Sequence, residues 1–426
     1  MMPEATNGRL WSDIEPSLWP FQSLQEVAAE SPNATTIGPF GSNLVAGDYR
    51  AEGVPVVFVR DIKEEGFVWK SDVYVDQGKA RELSAHQVLP GDVLATKMGL
   101  PPCVSCIYPV DMPQGIVTAD VIRLRANPEV ALPGWVSRQI NSPSVKKQVG
   151  WITGGVTRPK VTLKDFRSLR IPTPPIPEQA RIAEVLDALD EAIGVTQALV
   201  EKNGRIYQVL QERFFAPHAV LNRNWWQESR LEDISESITS GPRGWACYYK
   251  DEGDYFLRIG NLTRKHLDLR FDDVVNVQPP VGAEGVRTAL APGDLLISIT
   301  ADLGIIGVVP EWMGVAYINQ HIARARLNRV KVNPRFLGYQ LSGQIGQKQF
   351  YRLNDVGAKA GLNLPTVGRL KVWLPPQAEQ NQIAQALDTV QMSLRNDEVT
   401  LAKLLGLKSG LSSDLLTGRV RVLEAR

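Results

Sequence analysis

The residues of this sequence that could support metal binding or redox chemistry are few. Cys103 and Cys106 form one CxxC pair in the segment PPCVSC. A zinc site needs a second ligand pair at similar spacing, and the third cysteine, Cys247, together with four scattered histidines does not supply one. The sequence therefore favours two small buried residues near the end of a strand over a metal or redox site.

Other catalytic arrangements are nearly absent from the sequence. Asp92 and Lys97 in GDVLATK are similar to a nuclease carboxylate–lysine pair, but the later segment GDLLISIT has neither the lysine nor a second acid, which favours a packing role. The motifs GxxxxGK[ST], GxSxG and HExxH do not occur, and no GxGxxG follows a strand. The Asn/Asp-Pro-Pro-aromatic tetrapeptide of amino-methyltransferases is also missing. The pattern indicates a binding or adaptor protein rather than an enzyme.

Positive charge is concentrated in two segments of a chain whose formal net charge is only +1. Each segment precedes a long helical pattern and contains a single acid, Asp165 or Asp355. A charge run is usually a solvated face, but its recurrence at the same place in both halves predicts an anion-facing surface, with DNA phosphate as the obvious anion. The basic residues are Arg138, Lys146, Lys147, Arg158, Lys160, Lys164, Arg167 and Arg170 in the first segment, and Lys348, Arg352, Lys359, Arg369 and Lys371 in the second.

The sequence contains a diverged internal duplication. The segment PPIPEQARIAEVLDALDEAI at 174–193 returns as PPQAEQNQIAQALDTVQMSL at 375–394, so that Pro174 and Pro375 are 201 positions apart. A repeat of such long period predicts two similar halves, each a globular region of about 150 residues followed by a long helix. The other matched segments are PGDVL (90–94) with PGDLL (292–296), and VFVRDI (57–62) with YFLRIGNL (255–262), which places Phe58 opposite Phe256.

Both halves end in a helical pattern with a continuous apolar stripe. Apolar residues recur at alternating steps of four and three for about five heptads, as in a coiled coil. Polar residues interrupt the first series at Thr196 and Asn203 and the second at Asp397 and Lys408. Matched length and phase favour two helices packed on each other over two helices that each pack only on their own globular region. The predicted seam residues are Ile182, Leu186, Leu189, Ile193 and Leu210 in the first helix, and Ile383, Leu387, Val390, Leu394, Leu404 and Leu411 in the second.

Start and stop signals predict where the two helices begin and end. Prolines followed by Glu178 or Glu379 mark the starts, because a helix N-terminus favours negative charge. Ala216-Pro217 and Thr417-Gly418 mark the ends, which gives helices of about 39 residues and about 60 Å. A second apolar face is indicated by Val185, Leu199, Val209, Leu405 and Leu416. The predicted segments are 1–173 (globular), 174–216 (helical), 217–374 (globular) and 375–426 (helical, with a C-terminal tail).

The remaining sequence predicts a folded α+β protein of more than one domain. Its 426 residues are too many for one ordinary core, and the globular regions read as short strands with helical patches at about 133–149 and 333–352. No apolar run reaches about 18 residues, so we expect no membrane span. The polar N-terminus is unlike a secretory signal, and three cysteines suit a reducing compartment, so we expect a cytoplasmic protein.

Further segments occur in a fixed order along the two halves. They are IGPFGSNLVAGDY (37–49) with EGVPVVFVRDI (52–62), ITSGPRGWACYY (238–249) with YFLRIGNL (255–262), the PGDVL and PGDLL segments, INQHIARARL (318–327), the starts of the two helices, and LLTGRVRV (415–422). In this order and twice over, these segments resemble the specificity subunits of Type I restriction–modification systems, and the resemblance spans nearly the whole chain. One departure is GIVTADVIRL (115–124), which lacks the Asn-Gln-His of INQHIARARL, so equivalent roles are not carried over to it.

The resemblance implies two target recognition domains separated by two long antiparallel coiled-coil helices. Each recognition domain would read one half of a split DNA site, and the helix pair would fix the distance between the halves. The chain itself would have no catalytic residue, metal or cofactor. It would dock two modification (methyltransferase) subunits that bind S-adenosylmethionine, and restriction subunits that use ATP and Mg would join the complex.

Position within the recognition-domain motifs selects candidate DNA contacts. Arginine is the best reader of guanine and Asn or Gln of adenine, whereas lysine mostly holds phosphates. Arg60 and Arg258 lie inside strand-like runs, so a structural ion pair is the competing prediction for both. The candidates are Ser42, Asn43, Arg60, Lys97, Arg158 and Lys160 in the first domain, and Arg243, Trp245, Arg258, Asn261 and Lys359 in the second.

Two functions from other classes are also compatible with the sequence. One is a coiled-coil adaptor whose globular regions bind protein, and the repeated basic segments count against it. The other is a stand-alone DNA-modifying enzyme with an unrecognised site, and the missing motifs count against it.

Overall fold

Two units of mixed helix and strand are present, which confirms the α+β prediction. The first unit contains Met1–Val195 and Leu401–Arg426, and the second contains Thr196–Thr400. Each long helix is therefore divided between the two units, whereas the sequence treats it as a segment of its own. None of the helices in the described residues is long and apolar enough to cross a membrane. The computed structural model describes residues 18–153, 159–216, 225–279, 282–354 and 361–422.

Short elements follow one another in the first globular region, because Gly, Pro and Asp interrupt its β-branched runs. Its helices are α1 (Gln77–Glu82), α2 (Pro133–Asn141), α3 (Pro143–Thr153) and α4 (Leu163–Ser168), followed by the long α5 (Ile176–Phe214). Its strands are β1 (Phe21–Ser23), β2 (Thr35–Ile37), β3 (Tyr49–Arg50), β4 (Val54–Val57), β5 (Ile62–Lys63), β6 (Gly66–Phe67), β7 (Tyr74–Val75), β8 (Gln87–Val88), β9 (Val93–Thr96), β10 (Ser105–Ile107), β11 (Gly115–Val117), β12 (Val121–Leu124) and β13 (Arg170–Pro172).

The second globular region repeats this order of elements with fewer short strands. Its helices are α6 (Ala283–Thr288), α7 (Pro334–Ser342), α8 (Gln344–Asn354) and α9 (Leu364–Gly368), followed by the long α10 (Gln377–Thr417). Its strands are β14 (Gln227–Arg230), β15 (Ser235–Ser240), β16 (Tyr249–Lys250), β17 (Asp254–Leu257), β18 (Val275–Val277), β19 (Leu295–Ser298), β20 (Ile306–Val308), β21 (Ala316–Ile318), β22 (Ile322–Leu327) and β23 (Lys371–Leu374).

Each unit contains two main sheets of similar strand order. The orders are β10-β9-β12-β2 and β3-β7-β4-β11-β8 in the first unit, and β15-β22-β19-β20 and β16-β18-β17-β21 in the second. Most pairs are antiparallel, but β4 runs parallel to β11 and β17 runs parallel to β21. Because parallel strands end at the same edge of a sheet, the loops that follow them meet there, once in each unit.

The parallel pairs also fix how the two halves correspond. Val57 is the last residue of β4 that pairs with β11, and Leu257 is the last residue of β17 that pairs with β21. These two residues are 200 positions apart. The predicted correspondence of Phe58 with Phe256 is therefore wrong by two residues.

A single turn of 3-10 helix follows each of these strands, and this corrects the placement of two candidate arginines. The Phe58 N–H donates to the Asp61 carboxylate at 2.9 Å, and the Arg258 N–H donates to the Asn261 side-chain oxygen at 2.8 Å. Such a bond from the capping backbone to the third residue of the turn ends the strand. Arg60 lies within its turn and Arg258 before its turn, so neither lies inside a strand and the two are not equivalent.

The two long helices form where the sequence predicts them, with 39 residues in α5 and 41 in α10. A glutamine in each first turn ties the helix to the globular region that precedes it. Gln179 and Gln380 each donate twice to backbone carbonyl oxygens and accept one backbone N–H, so both are satisfied although buried. The partners are Val130, Pro174 and Leu132 for Gln179, and Lys331, Pro375 and Asn333 for Gln380.

Within each unit, one end of α5 lies antiparallel to one end of α10. In the first unit the Lys408 amine contacts the Asp190 carboxylate at 2.7 Å. In the second unit the Asn203 amide donates to the Asp397 carboxylate at 2.7 Å. Polar residues that interrupt the apolar stripes therefore bond to the neighbouring helix.

Some of the predicted seam residues are buried, and the others are half-buried. The buried ones also pack on the globular regions, so the two predicted packing modes occur together: Ile182 and Leu186 share a core cluster with Trp135 and Leu415. Buried seam residues are Ile182, Leu186, Leu189, Ile193, Ile383 and Leu387, and half-buried ones are Leu210, Val390, Leu394, Leu404 and Leu411.

The second apolar face of the helices is present except at one residue. Val185, Leu199, Val209 and Leu405 are exposed. Leu416 is only 7% exposed, because it packs in the core of the first unit, and its prediction as part of this face is wrong.

Candidate nucleic-acid interface

Loops that follow the parallel strands β4 and β11 of the first unit meet loops that follow β2 and β9 of its other sheet, in a group that we call the first loop edge. It consists of residues 38–43, 58–60, 97–98, 118–120 and 160. Backbone bonds hold these loops together: the Thr118 N–H and hydroxyl both donate to the Val57 carbonyl oxygen at 3.0 Å, and the Lys97 N–H donates to the Asp120 carbonyl oxygen at 2.8 Å. Met98 forms an antiparallel bridge with Lys160.

Glycine is required where the first of these loops passes the end of β11. A Cβ atom on Gly38 would lie 2.1 Å from the Thr118 carbonyl carbon, so no other residue fits without movement of the backbone. This close passage places the turn that contains Asn43 beside the other loops of the first loop edge.

Four of the candidate DNA contacts of the first unit lie together at this edge. Asn43, Arg60 and Lys160 are exposed. The Arg60 guanidinium lies 4.3 Å from the Phe58 ring centre, and the Lys97 amine lies 5.1 Å from the Phe40 ring centre. Each cation therefore lies over an aromatic face, and among the described residues neither forms a salt bridge with a carboxylate.

Two further candidates of the first unit are placed less fully. Ser42 lies in the 3-10 turn Gly41–Asn43 of the first loop edge, and only its backbone is described. Arg158 lies outside the described residues. A groove at the same edge is lined by side chains that include Arg60, Met98, Thr118 and Asp120.

The second unit builds an equivalent group of loops, which we call the second loop edge. It consists of residues 241–243, 258–260, 299–300, 319–321 and 361. The Asn319 N–H donates to the Leu257 carbonyl oxygen at 3.1 Å, and the Ile299 N–H donates to the His321 carbonyl oxygen at 3.0 Å. Thr300 bridges to Gly361 as Met98 bridges to Lys160.

Two candidate contacts of the second unit are wrong, because their side chains are buried in its interior. Trp245 is 3% exposed and packs on Phe256 and Tyr317 at ring-centre distances of 6.0 and 5.4 Å. Asn261 is 2% exposed, and its amide donates to the Arg270 carbonyl oxygen at 2.9 Å while its oxygen caps the 3-10 turn. Both side chains build the domain and do not reach its surface.

The other candidates of the second unit have different surroundings. Arg243 is exposed in the second loop edge. Arg258 is half-buried and pairs with Asp273 at 3.0 Å, as the competing ion-pair prediction requires. Lys359 lies outside the described residues.

The basic segments do not form one continuous anion-facing surface, because several of their cations have structural partners. Arg138 pairs with Asp187 and with Asp190 on α5. Lys146 contacts Glu64 at 2.6 Å, and Arg167 donates to the Thr35 carbonyl oxygen at 2.7 Å. In the second unit, Lys371 contacts Glu228 at 2.6 Å. Exposed cations of these segments are Lys147, Lys160, Lys164, Lys348, Arg352, Arg369 and Lys371.

The residues that first suggested chemistry have packing roles. The buried Asp92 carboxylate forms two bonds of 2.9 Å to the Arg125 guanidinium, and its counterpart Asp294 binds Arg326 at 3.0 and 2.8 Å. The strand-end role predicted for Asp92 is confirmed.

The two cysteines of the CxxC pair are both buried, as predicted. Burial raises the pKa of the Cys103 and Cys106 thiols to about 12, so both are protonated near neutral pH. In the described part of the chain, no group of three or more His, Cys, Asp and Glu side chains could hold a metal ion.

Sequence reasoning missed a polar cluster at the second loop edge, formed by Thr300, Asn319, Gln320 and His321. The Thr300 hydroxyl lies 2.7 Å from His321 Nδ1, and the Gln320 amide nitrogen lies 2.8 Å from His321 Nε2. The signal available in the sequence was Asn-Gln-His itself, which the first half lacks. Glutamine and asparagine suit adenine recognition, so these residue types at the end of a parallel strand could have been selected.

Comparison with known proteins shows that the chain is similar to the DNA specificity subunits of Type I restriction enzymes. The model of the Type I restriction modification DNA specificity domain matches residues 138–202 and 224–401, more than half of the chain. The MjaVIII specificity subunit of Methanocaldococcus jannaschii is 21% identical over 327 residues, which cover 72% of this chain and 75% of that protein. The EcoBI specificity subunit of Escherichia coli is 22% identical over 406 residues, which cover 87% and 80%.

A solved structure also has a similar fold. The S subunit of the Type I restriction–modification system from M. genitalium superimposes with a TM-score of 0.61 and 14% sequence identity. The alignment covers 94% of this chain and 97% of that one. At this level of identity the likeness concerns the fold.

Proposed function

The chain belongs to the Type I restriction modification DNA specificity family, and from this premise we propose that its two loop edges bind the two halves of a split DNA site. As a member of this family it is a non-catalytic DNA specificity subunit, and catalysis lies in its partner subunits. An adaptor that binds only protein and a stand-alone DNA-modifying enzyme are not favoured by this membership.

The observation that carries the proposal is that one loop arrangement is built twice with different side chains. Both edges use the ends of two parallel strands, a glycine that passes one strand end, and a bridge to the segment before the long helix. The first edge presents Arg60, Lys97 and Lys160, whereas the second presents Arg243, Gln320 and His321. A common scaffold with different contact groups would recognise two different half-sites.

Cations and amides at the two edges suit different parts of the DNA. Exposed lysines such as Lys160 would hold phosphates, which fixes the position of the edge without selecting a sequence. Arginine can bond to two acceptors of guanine in the major groove, so Arg60 and Arg243 are the candidates for base contact. Their aromatic or open surroundings leave the guanidinium N–H groups available for this purpose.

The long helices are the proposed docking surface for partner subunits. DNA and methyltransferase and restriction subunits are the partners of this family. We assign two modification subunits to the exposed apolar residues Val185, Leu199 and Val209 of α5 and Leu405 of α10, because such residues are stabilised when another protein covers them. S-adenosylmethionine would bind in the modification subunits, and ATP and Mg in the restriction subunits, in the cytoplasm.

The helices would also set the gap between the two half-sites. Each long helix has one part in each unit, so its number of residues is the feature of the chain that we propose sets this gap. Half-sites about one DNA turn apart, about 34 Å, can be read by two domains on one face of the duplex.

The proposal is tested by expressing the chain with a Type I modification subunit in cells that lack other DNA methylation, and by sequencing modified adenine. A two-part motif with a fixed gap is expected. The chain expressed alone should give no methylation. Methylation by the chain alone, or a continuous motif without a gap, would contradict the proposal.

A further inference from the structure

We propose that Gln320, held in place by His321 and Thr300, reads an adenine in the half-site bound by the second loop edge; this inference rests on the proposed function. Among the described side chains of the first loop edge, no amide is held by a histidine in this way. The second half-site would therefore depend on a fixed amide, while the first would depend on Arg60.

Gln320 lies at the tip of a turn that the backbone fixes closely. The Asn319 N–H donates to the Leu257 carbonyl oxygen at the end of β17, and the Ile322 N–H donates to the Asn319 carbonyl oxygen at 3.2 Å. The Asn319 side-chain oxygen accepts the His321 N–H at 3.2 Å. Asparagine side chains commonly stabilise turns by bonding to the backbone two residues ahead. Asn319 thus builds the turn and leaves Gln320 at its apex.

The His321 ring holds the Gln320 amide in one orientation. The Gln320 side-chain nitrogen lies 2.8 Å from His321 Nε2, and the Thr300 hydroxyl lies 2.7 Å from His321 Nδ1. In this orientation the Gln320 amide nitrogen faces Nε2 as a donor, and the Thr300 hydroxyl faces Nδ1 on the other side of the ring. Thr300 is itself held by its bridge to Gly361.

This arrangement leaves one acceptor and one donor of Gln320 for a ligand. Its amide oxygen and its second amide hydrogen are not used by His321. That pair matches the major-groove edge of adenine, where N6 donates and N7 accepts. Guanine presents two acceptors at the same edge, so it would oppose the Gln320 oxygen. A side chain already held in one orientation loses little conformational freedom when it binds.

The equivalent turn of the first unit has different residues in place of Gln320, His321 and Thr300. The Lys97 N–H donates to the Asp120 carbonyl oxygen in the first unit. The Ile299 N–H donates in the same way to the His321 carbonyl oxygen in the second unit, so Asp120 corresponds to His321. Ala119 then stands where Gln320 stands, and Met98 where Thr300 stands. Alanine has no polar group to offer a base, so the first unit must read its half-site by other side chains.

The test uses the chain co-expressed with its modification subunit and sequencing of modified adenine. Gln320→Ala is expected to reduce adenine preference at one position of one half-site by roughly tenfold or more, and to leave the other half-site unchanged. Gln320→Glu keeps an acceptor but loses the donor to N7, so the same position should shift towards cytosine, whose N4 donates.

The positioning role of Thr300 has its own pair of variants. Thr300→Val keeps the shape but removes the hydroxyl, and should relax the same position less strongly than Gln320→Ala does. Thr300→Ser restores the hydroxyl and should restore the preference. Glu311→Gln, at an exposed residue of the same unit, is the matched control and should leave both half-sites unchanged.

Two results would overturn this inference while leaving the proposed function intact. One is a wild-type two-part motif that Gln320→Ala and Gln320→Glu do not alter. The other is an equal fall in methylation at every site with no change in base preference, which would make Gln320 a purely structural part of the turn. A wild-type chain that gives no two-part motif would instead refute the proposed function.

Discussion

The first turn of α5 is closed by an ion pair, whereas the first turn of α10 is closed by two indole N–H groups. Glu178 accepts two bonds from Arg421, at 3.0 and 2.8 Å. Glu379 accepts one bond each from Trp225 and Trp226, at 3.1 and 3.2 Å. In both units the donors lie beyond the end of the other long helix. The duplicated halves have kept the carboxylate and changed its partner.

A second pair of equivalent positions shows the same exchange of chemistry. In the first unit Arg138 of α2 pairs with Asp187 of α5. In the second unit Tyr339 of α7 donates its hydroxyl to Asp388 of α10 at 2.5 Å, and Arg335 contacts the same carboxylate at 2.6 Å. At this pair of equivalent positions, the two globular regions therefore bond to their long helices through different side chains. The backbone arrangement is the common feature of the two units, and side-chain chemistry can vary on it, at the loop edges as well.

The largest effect is expected when both long helices are lengthened by the same number of residues. An insertion of one heptad in α5 after Val195 and in α10 after Thr400, where the two helices pass between units, keeps the apolar stripes in phase. About 10 Å of added helix should lengthen the gap between half-sites by about three base pairs. Sequencing of modified adenine should show unchanged half-sites. A changed half-site, with the gap unaltered, would refute the role of the helices in spacing.

Removal of the buried aspartates should affect both units alike. Asp92→Ala leaves Arg123 and Arg125 without their carboxylate, and Asp294→Ala leaves Arg326 without its carboxylate in the second unit. Loss of one partner of a buried pair lowers the free energy of unfolding by about 3–5 kcal/mol. Urea unfolding measures it, and Asp111→Ala, at an exposed position, is the control with less than about 0.5 kcal/mol. A small effect in one unit only would show that the two networks are not equivalent.

Neutralising the carboxylates of Glu178 and Glu379 should affect the two units to different extents. Glu178→Gln removes the ion pair with Arg421, so hydrogen-exchange protection in the first turn of α5 should fall roughly tenfold. Glu379→Gln still offers an oxygen to the indoles, and protection in α10 should fall by less than about threefold. High salt should shrink the first effect and leave the second unchanged, because salt screens charges. Equal losses in both helices would contradict the distinction.

A smaller difference between the units is expected on acidification. Burial, with the nearby charge of Arg395, lowers the pKa of His266 in the second unit. The unfolded chain then binds the proton first, so this contribution to stability is present above about pH 6.5 and is lost as the pH falls below it. The loss should be confined to the second unit, and His266→Gln should remove it. Hydrogen exchange as a function of pH measures it, and an unchanged profile in the variant would exclude His266 as the cause.

The long helices could be predicted from the sequence because their signals are local and repeated. The apolar stripe recurs over about five heptads, and the prolines before Glu178 and Glu379 mark the starts. The structure has α10 end at Thr417, as predicted, and α5 end at Phe214, two residues before Ala216. The α+β fold class could be predicted for the same reason, because the duplicated segments are visible in the sequence.

The loop edges could be predicted only in part, because their strands are short and their partners are distant in sequence. Strands of four residues give little register information, so the sequence alone predicts the wrong match of Phe58 to Phe256. Trp245 and Asn261 look like surface residues until the sheet that covers them is known. Lys146 and Glu64 are 82 positions apart, and no local pattern reveals such a pair.

The central claim is that each loop edge reads its own half-site. It is tested most directly by sequencing modified adenine in cells that carry the modification subunit with the wild-type chain, with Arg60→Ala of the first edge, or with Gln320→Ala of the second. We expect the two variants to change opposite halves of the motif, each with the gap and the other half intact. Changes in the same half, or in both halves together, would contradict it.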